Sequence, residues 1–126
     1  MNKRFEIGDR LRSFRVALAG LRYLLASEHN SRIHLGVTIA AIGLGALIGI
    51  TLNEWRWLLL AIALVWVSEA FNTALERLGD AVSLEHDPTI GRAKDVAAAA
   101  VMFAALTSAL IGISIFGPYF LAWLAS

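Results

Sequence analysis

A stripe of four polar residues interrupts apolar sequence in the middle of the chain. These residues follow one another at steps of three, four and four positions: Glu69, Asn72, Glu76 and Asp80. Because an α-helix turns once in about 3.6 residues, this spacing places the four side chains on one helix face, which we call the polar stripe. Carboxylate and amide groups aligned in this way suit three roles: proton transfer, binding of a hard divalent cation, or hydrogen bonding between helices.

Glu69 is the stripe residue that lies deepest in apolar sequence. The uncharged residues 57–68 before it form only about 18 Å of helix, too short to cross a bilayer, so the helix carries Glu69 into the membrane. There it must face protein or a wet cleft, because a lipid-facing carboxylate costs roughly 2.5–3.5 kcal/mol. Such a carboxylate is a candidate general base for an alcohol. An interhelical hydrogen bond is the alternative, and the spacing leaves both open.

Two further carboxylates are expected at the water boundary of this helix. Glu76 lies further along the stripe, and Glu28 ends a preceding amphipathic helix at the same expected depth. They could share one Mg²⁺, which binds through one or two carboxylates plus substrate phosphates. Asn72 would add a neutral oxygen or orient a phosphate. The alternative is that Glu28 and Glu76 are solvated interfacial acids.

Residues 91–95 (GRAKD) are expected to open the last helix, where free backbone N–H groups and the helix dipole favour an anion. Lys94 would neutralise phosphate charge there. Asp95 in a first turn and Lys94 near an interface are also ordinary helix residues, so this cluster is weak without the others. No Walker A, HExxH or GxSxG motif occurs, which argues against a soluble P-loop kinase or a zinc hydrolase.

The elements that position these residues are predicted to be helices throughout. Apolar residues recur at helical spacing over residues 9–29, with arginines on other faces. This pattern favours an amphipathic helix at the membrane surface over a soluble helix packed on a partner. Three transmembrane spans are expected at residues 35–52, 56–76 and 94–117. The predicted fold class is therefore an all-α membrane protein with one surface helix and three spans.

Polar and helix-breaking residues predict where these helices are interrupted. Asn53 and Glu54 are expected to form a turn between the first two spans. Thr89 or Asp87 is expected to cap the last helix. Gly117-Pro118 is expected to break that helix before its end.

The composition supports a membrane protein. The 126 residues are 58% hydrophobic and 17% charged, and the mean hydropathy is +0.66, too apolar for a soluble domain of this size. A net charge of +1 gives no reason to expect a nucleic-acid partner. The absence of cysteine excludes disulfides and thiolate metal sites. The N-terminus does not resemble a signal peptide, so we expect the mature protein to keep all 126 residues.

Lysine and arginine are distributed unequally around the spans. Seven precede the first span and three lie between the second and third: Lys3, Arg4, Arg10, Arg12, Arg15, Arg22 and Arg32, then Arg77, Arg92 and Lys94. The other side holds only Arg56. By the positive-inside rule, the N-terminus and the second loop are expected in the cytoplasm, and the first loop and the C-terminus outside. Nearly every ionisable group then faces the compartment that holds ATP.

Residues 69–80 (EAFNTALERLGD) resemble the signature of the prokaryotic diacylglycerol kinase family, Glu-x-x-Asn-Ser/Thr-Ala-x-Glu-x-x-x-Asp. The similarity extends to residues 19–22 (AGLR), Glu28, Arg32 and residues 93–98 (AKDVAA), in the same order. It covers most of the chain, from about residue 13 to residue 112.

The resemblance implies a homotrimeric enzyme of the bacterial inner membrane, with active sites between subunits. Such an enzyme moves the γ-phosphoryl group of MgATP onto the hydroxyl of a membrane lipid at the cytoplasmic face. The residue roles implied by motif position are Glu69 as general base; Glu28 and Glu76 as metal and phosphate anchors; Asn72, Lys94 and Asp95 as nucleotide contacts; Glu85, His86 and Asp87 near adenosine; Arg10 or Arg12 near phosphates; and Asp80 and Arg32 as supporting residues.

Two features bear on the choice of lipid. Val16 stands where many members of the family have a tyrosine near the nucleotide. Residues 32–35 (RIHL) resemble the branch that includes undecaprenol kinases. Diacylglycerol, giving phosphatidic acid, is the expected acceptor, and undecaprenol is the alternative.

A hypothesis from another class is a non-catalytic membrane subunit or a small transporter, in which Glu69 couples ions or packs helices. A transporter would be expected to place its acids near the bilayer midplane. Here all of them except Glu69 are expected at one surface, which favours the kinase.

Overall fold

The computed structural model describes residues 7–83 and 85–126, and this part of the chain is helical apart from short connections. Its four α-helices are α1 (Ile7–Ser27), α2 (His29–Ile48), α3 (Leu52–Val82) and α4 (Pro88–Leu124). The predicted all-α membrane fold is thereby confirmed. Lys3 and Arg4, which contributed to the predicted orientation, lie outside the described residues.

Helices α2, α3 and α4 are long and apolar enough to cross a bilayer. Large apolar side chains point outward from each of them, such as Leu47, Phe71 and Leu110, which are 87%, 74% and 68% exposed. Such surfaces are stable against lipid and not against water, so the chain is a membrane protein. The 31 residues of α3 extend about 46 Å, more than the hydrocarbon thickness of about 30 Å, so the last turns of α3 project beyond it.

The three long helices alternate in direction because short connections join them. The start of α2, the end of α3 and the start of α4 therefore lie at one end of the bundle, together with α1. We call this the basic end because eight cationic side chains of the described residues lie there: Arg10, Arg12, Arg15, Arg22, Arg32, Arg77, Arg92 and Lys94. Helices α3 and α4 pack along most of their length, and in the middle Ser108 Oγ donates a hydrogen bond to the carbonyl oxygen of Ala61 at 2.9 Å.

Helix α1 lies against the basic end and is largely exposed, except for Leu24, which is buried at 5% exposure. Arg32 fixes the junction between α1 and α2. Its Nε donates to the carbonyl of Leu25 at 2.9 Å and its Nη2 to that of Ala26 at 2.7 Å. These carbonyls belong to the last turn of α1 and have no partner within the helix, so the guanidinium caps α1.

The connection between α2 and α3 differs from the prediction. Helix α2 ends at Ile48, before the expected limit at residue 52, because Gly49 adopts the left-handed conformation at φ 75° that stops a helix. The expected turn at Asn53 and Glu54 is wrong, since both residues lie in the first turn of α3. Thr51 and Glu54 form a capping box, in which each side chain accepts a hydrogen bond from the other's backbone N–H.

Helix α4 begins and ends outside its predicted limits. Asp87 Oδ1 accepts from the N–H groups of Thr89 and Ile90 at 2.7 and 3.3 Å, which confirms the predicted cap. With Pro88 in the first helical position, α4 starts six residues before Lys94. The predicted break at Pro118 is wrong. Proline removes one backbone donor, but an unbroken helix keeps the other backbone groups paired in an apolar environment.

Candidate active site

The polar stripe lies on α3 as predicted, and burial decreases along it towards the basic end. Glu69 is buried at 3% exposure, Asn72 and Glu76 are half-buried, and Asp80 is exposed. The four side chains therefore span a range of environments along about 16 Å of one helix.

Glu69 faces protein, as the cost of exposing it to lipid requires. Its Oε1 lies 2.9 Å from Nε2 of His34 on α2, within hydrogen-bond distance. The side chain of Glu69 is 4% exposed and that of His34 is 23% exposed. One turn further into the membrane, Trp66 Nε1 donates to Thr38 Oγ1 at 3.0 Å and holds the same two helices together. The deep carboxylate is thus positioned by a residue of the neighbouring helix.

Asn72 and Glu76 contact each other one helical turn apart. Asn72 Nδ2 donates to Glu76 Oε1 at 3.2 Å. The buried Oδ1 of Asn72 has no hydrogen-bond partner within residues 7–83 and 85–126, and neither has the buried Oγ of Ser31. A buried carbonyl oxygen without a donor is unfavourable unless something else binds it. The amide oxygen of Asn72 and the carboxylate of Glu76 are oxygen ligands of the kind that a hard cation such as Mg²⁺ prefers.

Glu28 lies between α1 and α2 and contacts Arg77 of α3. Arg77 Nη2 donates to Glu28 Oε1 at 2.8 Å, and its guanidinium carbon lies 5.8 Å from the ring centroid of Tyr23. Arg77 follows Glu76 in sequence, so Glu28 reaches α3 at the level of Glu76, as expected. No group of three acidic or histidine side chains in the described parts of the chain is placed to hold a metal ion. The sharing of a metal by Glu28 and Glu76 stays a prediction.

A polar cavity of about 410 Å³ lies where α3 passes into α4, a volume within the range of about 300–1,000 Å³ of ligand sites. It is lined by six of the predicted site residues: Asp80, Glu85, His86, Asp87, Lys94 and Asp95. Lys94 Nζ donates a hydrogen bond to Asp80 Oδ1. Asp80 lies beyond the part of α3 that the hydrocarbon covers, and this hydrogen bond and the charge of Lys94 lower the pKa of the Asp80 carboxyl group.

Glycine at position 79 allows Lys94 to reach Asp80. A Cβ atom on Gly79 would lie 3.0 Å from Cε of Lys94 and 3.0 Å from Cγ2 of Ile90, closer than ordinary contacts. The stem of Lys94 therefore lies against the bare backbone of α3.

The expectation that residues 91–95 offer free N–H groups is wrong, because α4 starts at Pro88 and Gly91 N–H already donates to Asp87 O at 2.9 Å.

Two apolar grooves border α3 near Glu69. One of about 800 Å³ runs between α1 and α3, with Arg77 in its lining. The other, of about 510 Å³, runs between α2 and α4 and includes His34, Val65 and Ser108. Val65 and Glu69 are one turn apart, so the second groove lies on the α3 face that carries the polar stripe. Both grooves offer apolar surface to a hydrocarbon chain beside the stripe.

Sequence reasoning did not identify His34 and Arg77 as site residues. The sequence nevertheless contains a signal for these contacts, which is the position of the turn between α2 and α3. In two antiparallel helices joined by a short turn, residues equally far from the turn face each other. Positions 34 and 69 are 17 and 18 residues from Thr51, and positions 28 and 77 are 23 and 26 residues from it. The turn position therefore predicts that His34 and Glu69 lie at the same level, whereas the rotation of the helices decides whether they face each other.

Comparison with known proteins is consistent with this arrangement. A family model described as prokaryotic diacylglycerol kinase matches residues 15–116. The chain is 33% identical over 115 residues to an undecaprenol kinase of Bacillus subtilis (strain 168), covering 91% of this chain and 94% of that protein. It is 37% identical over 101 residues to a diacylglycerol kinase of Synechocystis sp., covering 79% of this chain and 58% of that protein. The chain thus matches little more than half of the cyanobacterial relative.

Proposed function

Because the chain belongs to the prokaryotic diacylglycerol kinase family and is a lipid kinase, we propose that it transfers the γ-phosphoryl group of ATP to the hydroxyl of a membrane lipid alcohol. The observation that carries this proposal is the polar stripe of α3. It joins a buried carboxylate at Glu69 to a polar cavity at the basic end, with Asn72 and Glu76 between them. A hydroxyl in the membrane and a phosphate in water can meet only at such a boundary.

In the proposed reaction, Glu69 is the general base. The lipid hydroxyl oxygen attacks the γ-phosphorus, the bond from that phosphorus to the bridging oxygen of ADP breaks, and the hydroxyl proton moves to Glu69. Positioning and charge stabilisation supply most of the acceleration of phosphoryl transfer, because the transition state is loose and its charge is spread over oxygens. Burial of Glu69 keeps bulk water away from the reacting groups.

Polar residues at the basic end bind the nucleotide in this proposal. Lys94 exchanges its contact with Asp80 for a phosphate oxygen, since it has three donors and a flexible stem. Glu85, His86 and Asp87 surround adenosine, and Asp95 adds a contact on the same helix as Lys94. The six cavity residues thus hold ADP, the leaving group, while the lipid hydroxyl beside the stripe receives the phosphoryl group.

Asn72 and Glu76, with Glu28, would hold Mg²⁺ in this proposal. This assignment is supported by Asn72, whose Nδ2 contacts the Glu76 carboxylate and whose buried Oδ1 has no hydrogen-bond partner among residues 7–83 and 85–126. The ion would neutralise charge on the phosphate oxygens. Arg77 would have to share or release Glu28, which it contacts at 2.8 Å.

Diacylglycerol is the first acceptor that we propose, with phosphatidic acid as the product. Undecaprenol is the second. It is supported by the similarity to an undecaprenol kinase that extends over 94% of that relative's length. The same residues serve either acceptor, because both alcohols present a hydroxyl at the membrane surface with a tail in the hydrocarbon.

We also propose that the basic end faces the cytoplasm from the bacterial inner membrane and that the enzyme is a homotrimer. The basic end carries eight cationic side chains of the described residues, whereas Arg56 lies near the other end, so the positive-inside rule supports the orientation. The exposed apolar faces of α2, α3 and α4 leave room for contacts between copies.

The test is phosphate transfer from labelled ATP to diacylglycerol and undecaprenol in separate mixed micelles, with and without Mg²⁺. We expect a labelled lipid from at least one alcohol, only when Mg²⁺ is present, and the ratio of the two rates identifies the acceptor. Glu69→Gln is the matched control. If the wild-type rate with both alcohols equals that of Glu69→Gln, the proposal is wrong, and a binding role for Glu69 in a non-catalytic subunit gains support.

A further inference from the structure

Glu69 and His34 form a pair whose geometry is set by the packing of two helices. Glu69 Oε1 and His34 Nε2 are 2.9 Å apart. The carboxylate is 4% exposed and the imidazole 23% exposed, so His34 is the more accessible member. Thr38 and Trp66 hold α2 and α3 together one turn away, at 3.0 Å. The relative position of the pair is therefore supported by a second hydrogen bond between the same two helices.

A general base in this position has two requirements. It must be unprotonated, and it must direct a free oxygen at the hydroxyl. A buried carboxylate without a hydrogen-bond donor is strongly unfavourable in its charged form, so it needs a donor to stay charged. A charged carboxylate has no proton to donate, so the 2.9 Å contact with Oε1 requires the tautomer of His34 that carries the proton on Nε2. With Oε1 engaged, Oε2 of Glu69 is the oxygen available for proton transfer.

We propose that His34 is a positioning residue for phosphoryl transfer, which holds Oε1 of Glu69 through its Nε2–H so that Oε2 takes the hydroxyl proton. This inference rests on the proposed function and adds a residue of α2 to it. When the hydroxyl oxygen bonds to the γ-phosphorus and the bond to the ADP oxygen breaks, the proton goes to Oε2. Nε2 of His34 keeps its own proton throughout the step.

A purely structural role for His34 makes a different prediction. A hydrogen bond that only joins α2 to α3 would affect stability, and its loss would not change kcat selectively. A positioning role changes kcat and leaves the binding of ATP unaffected, because the nucleotide cavity lies at the other end of the polar stripe. The two roles are therefore separable by kinetics.

The experiment uses the full chain in mixed micelles with each lipid alcohol and MgATP. His34→Leu removes the donor, whereas His34→Gln supplies an amide N–H in place of Nε2–H. We expect His34→Leu to lower kcat about 100-fold, because displacing a reacting group by about 1 Å has an effect of that size. The KM for ATP should be unchanged. His34→Gln should recover most of that loss. His29→Gln, an exposed histidine on the same helix, is the matched control and should retain wild-type kcat.

A double variant adds a second measurement. Glu69→Gln combined with His34→Leu should be no slower than Glu69→Gln alone, because residues that act as one unit have non-additive effects. Detergent gel filtration shows whether each variant keeps the wild-type assembly. If His34→Leu does not fold, His34→Phe removes the N–H while keeping a ring in the same place, and it carries the same expectation.

Two results would overturn the inference and leave a lipid kinase standing: an unchanged kcat in folded His34→Leu or His34→Phe, or a His34→Gln variant as slow as His34→Leu. Failure of the proposed function gives a different result. In that case wild type phosphorylates neither alcohol, and the inference falls with it.

Discussion

The two ends of the polar stripe differ in the burial of their carboxylates and in the helix that supplies the partner residue. Glu69 is buried, and its partner His34 comes from a neighbouring membrane helix. Asp80 is exposed, and its partner Lys94 comes from the next helix across a short loop. The deep pair is largely buried and is held by packing between α2 and α3, whereas the shallow pair lies in a polar cavity of about 410 Å³.

In the proposed function, this difference separates the chemical step from the binding of the nucleotide. A proton-transfer group benefits from a rigid, water-poor site, because hydrogen bonds act more strongly there and misplacement is costly. A nucleotide-binding group must exchange its partner when the ligand arrives, which a half-buried lysine with a flexible stem does readily. Substitutions at the deep end should therefore change kcat, and those at the shallow end should change the binding of ATP.

The largest expected effect belongs to the deep end. Glu69→Gln keeps the side-chain volume and removes the base, so kcat should fall by about 10²–10⁴-fold, the contribution of general base catalysis. The measurement is the rate of labelled phosphate transfer at saturating ATP and lipid. Glu54→Gln is the matched control on the same helix at the opposite end of the bundle, and it should keep nearly wild-type activity. Equal losses in both variants would contradict a special role for the buried carboxylate.

Substitution of Lys94 at the shallow end should have a smaller effect, and this effect should fall on KM for ATP and not on kcat. Lys94→Met keeps the aliphatic stem and removes the charge, so we expect kcat/KM for ATP to fall about 10–100-fold, mostly through KM, at 1.4 kcal/mol per factor of ten. Initial rates over a range of ATP concentrations measure it. Arg92→Met removes an exposed cation from the same helix and should change little. If Lys94→Met lowered kcat with KM unchanged, the division between the two ends would be wrong.

Between the two ends, Glu76 should affect the requirement for Mg²⁺. Glu76→Gln removes one anionic ligand while keeping an oxygen that Asn72 can contact. We expect the Mg²⁺ concentration for half-maximal activity to rise about tenfold, a loss of the size seen when support of a metal site is weakened. Glu28→Gln should shift the same curve if the two carboxylates share the ion. A shift in one variant and none in the other would contradict that sharing.

The smallest effect concerns Asp87, which has a structural and a proposed binding role. Its Oδ1 caps α4, so Asp87→Ala should cost about 1 kcal/mol of stability. Asparagine keeps the capping oxygen, so Asp87→Asn should keep nearly wild-type stability. Unfolding of both variants in a detergent titration measures the difference. A raised KM for ATP in the stable Asp87→Asn variant would add a binding role for the charge, and an unchanged KM would limit Asp87 to its cap.

The sequence by itself determined the parts of this protein that depend on local spacing and on solvent. Apolar length predicts three spans, helical periodicity places the polar stripe on one face, and the cap at Asp87 follows from its own neighbours. The contact between Asp80 and Lys94 is also local, because the two residues are only 14 positions apart across one loop, whereas the binding roles of the cavity residues came from the family resemblance and stay predictions. The helix ends at Gly49 and Thr51 were missed, although a T-x-x-E capping box was readable in the sequence.

Only the tertiary structure decided which side chains meet across helices. His34 and Glu69 are 35 residues apart, and Glu28 and Arg77 are 49 apart. Their contacts depend on the position of the α2–α3 turn and on the rotation of each helix about its axis. A displacement of that turn by one residue changes which side chains face each other, because successive helical residues point about 100° apart. The pairing that positions Glu69 is therefore a property of the packed helices.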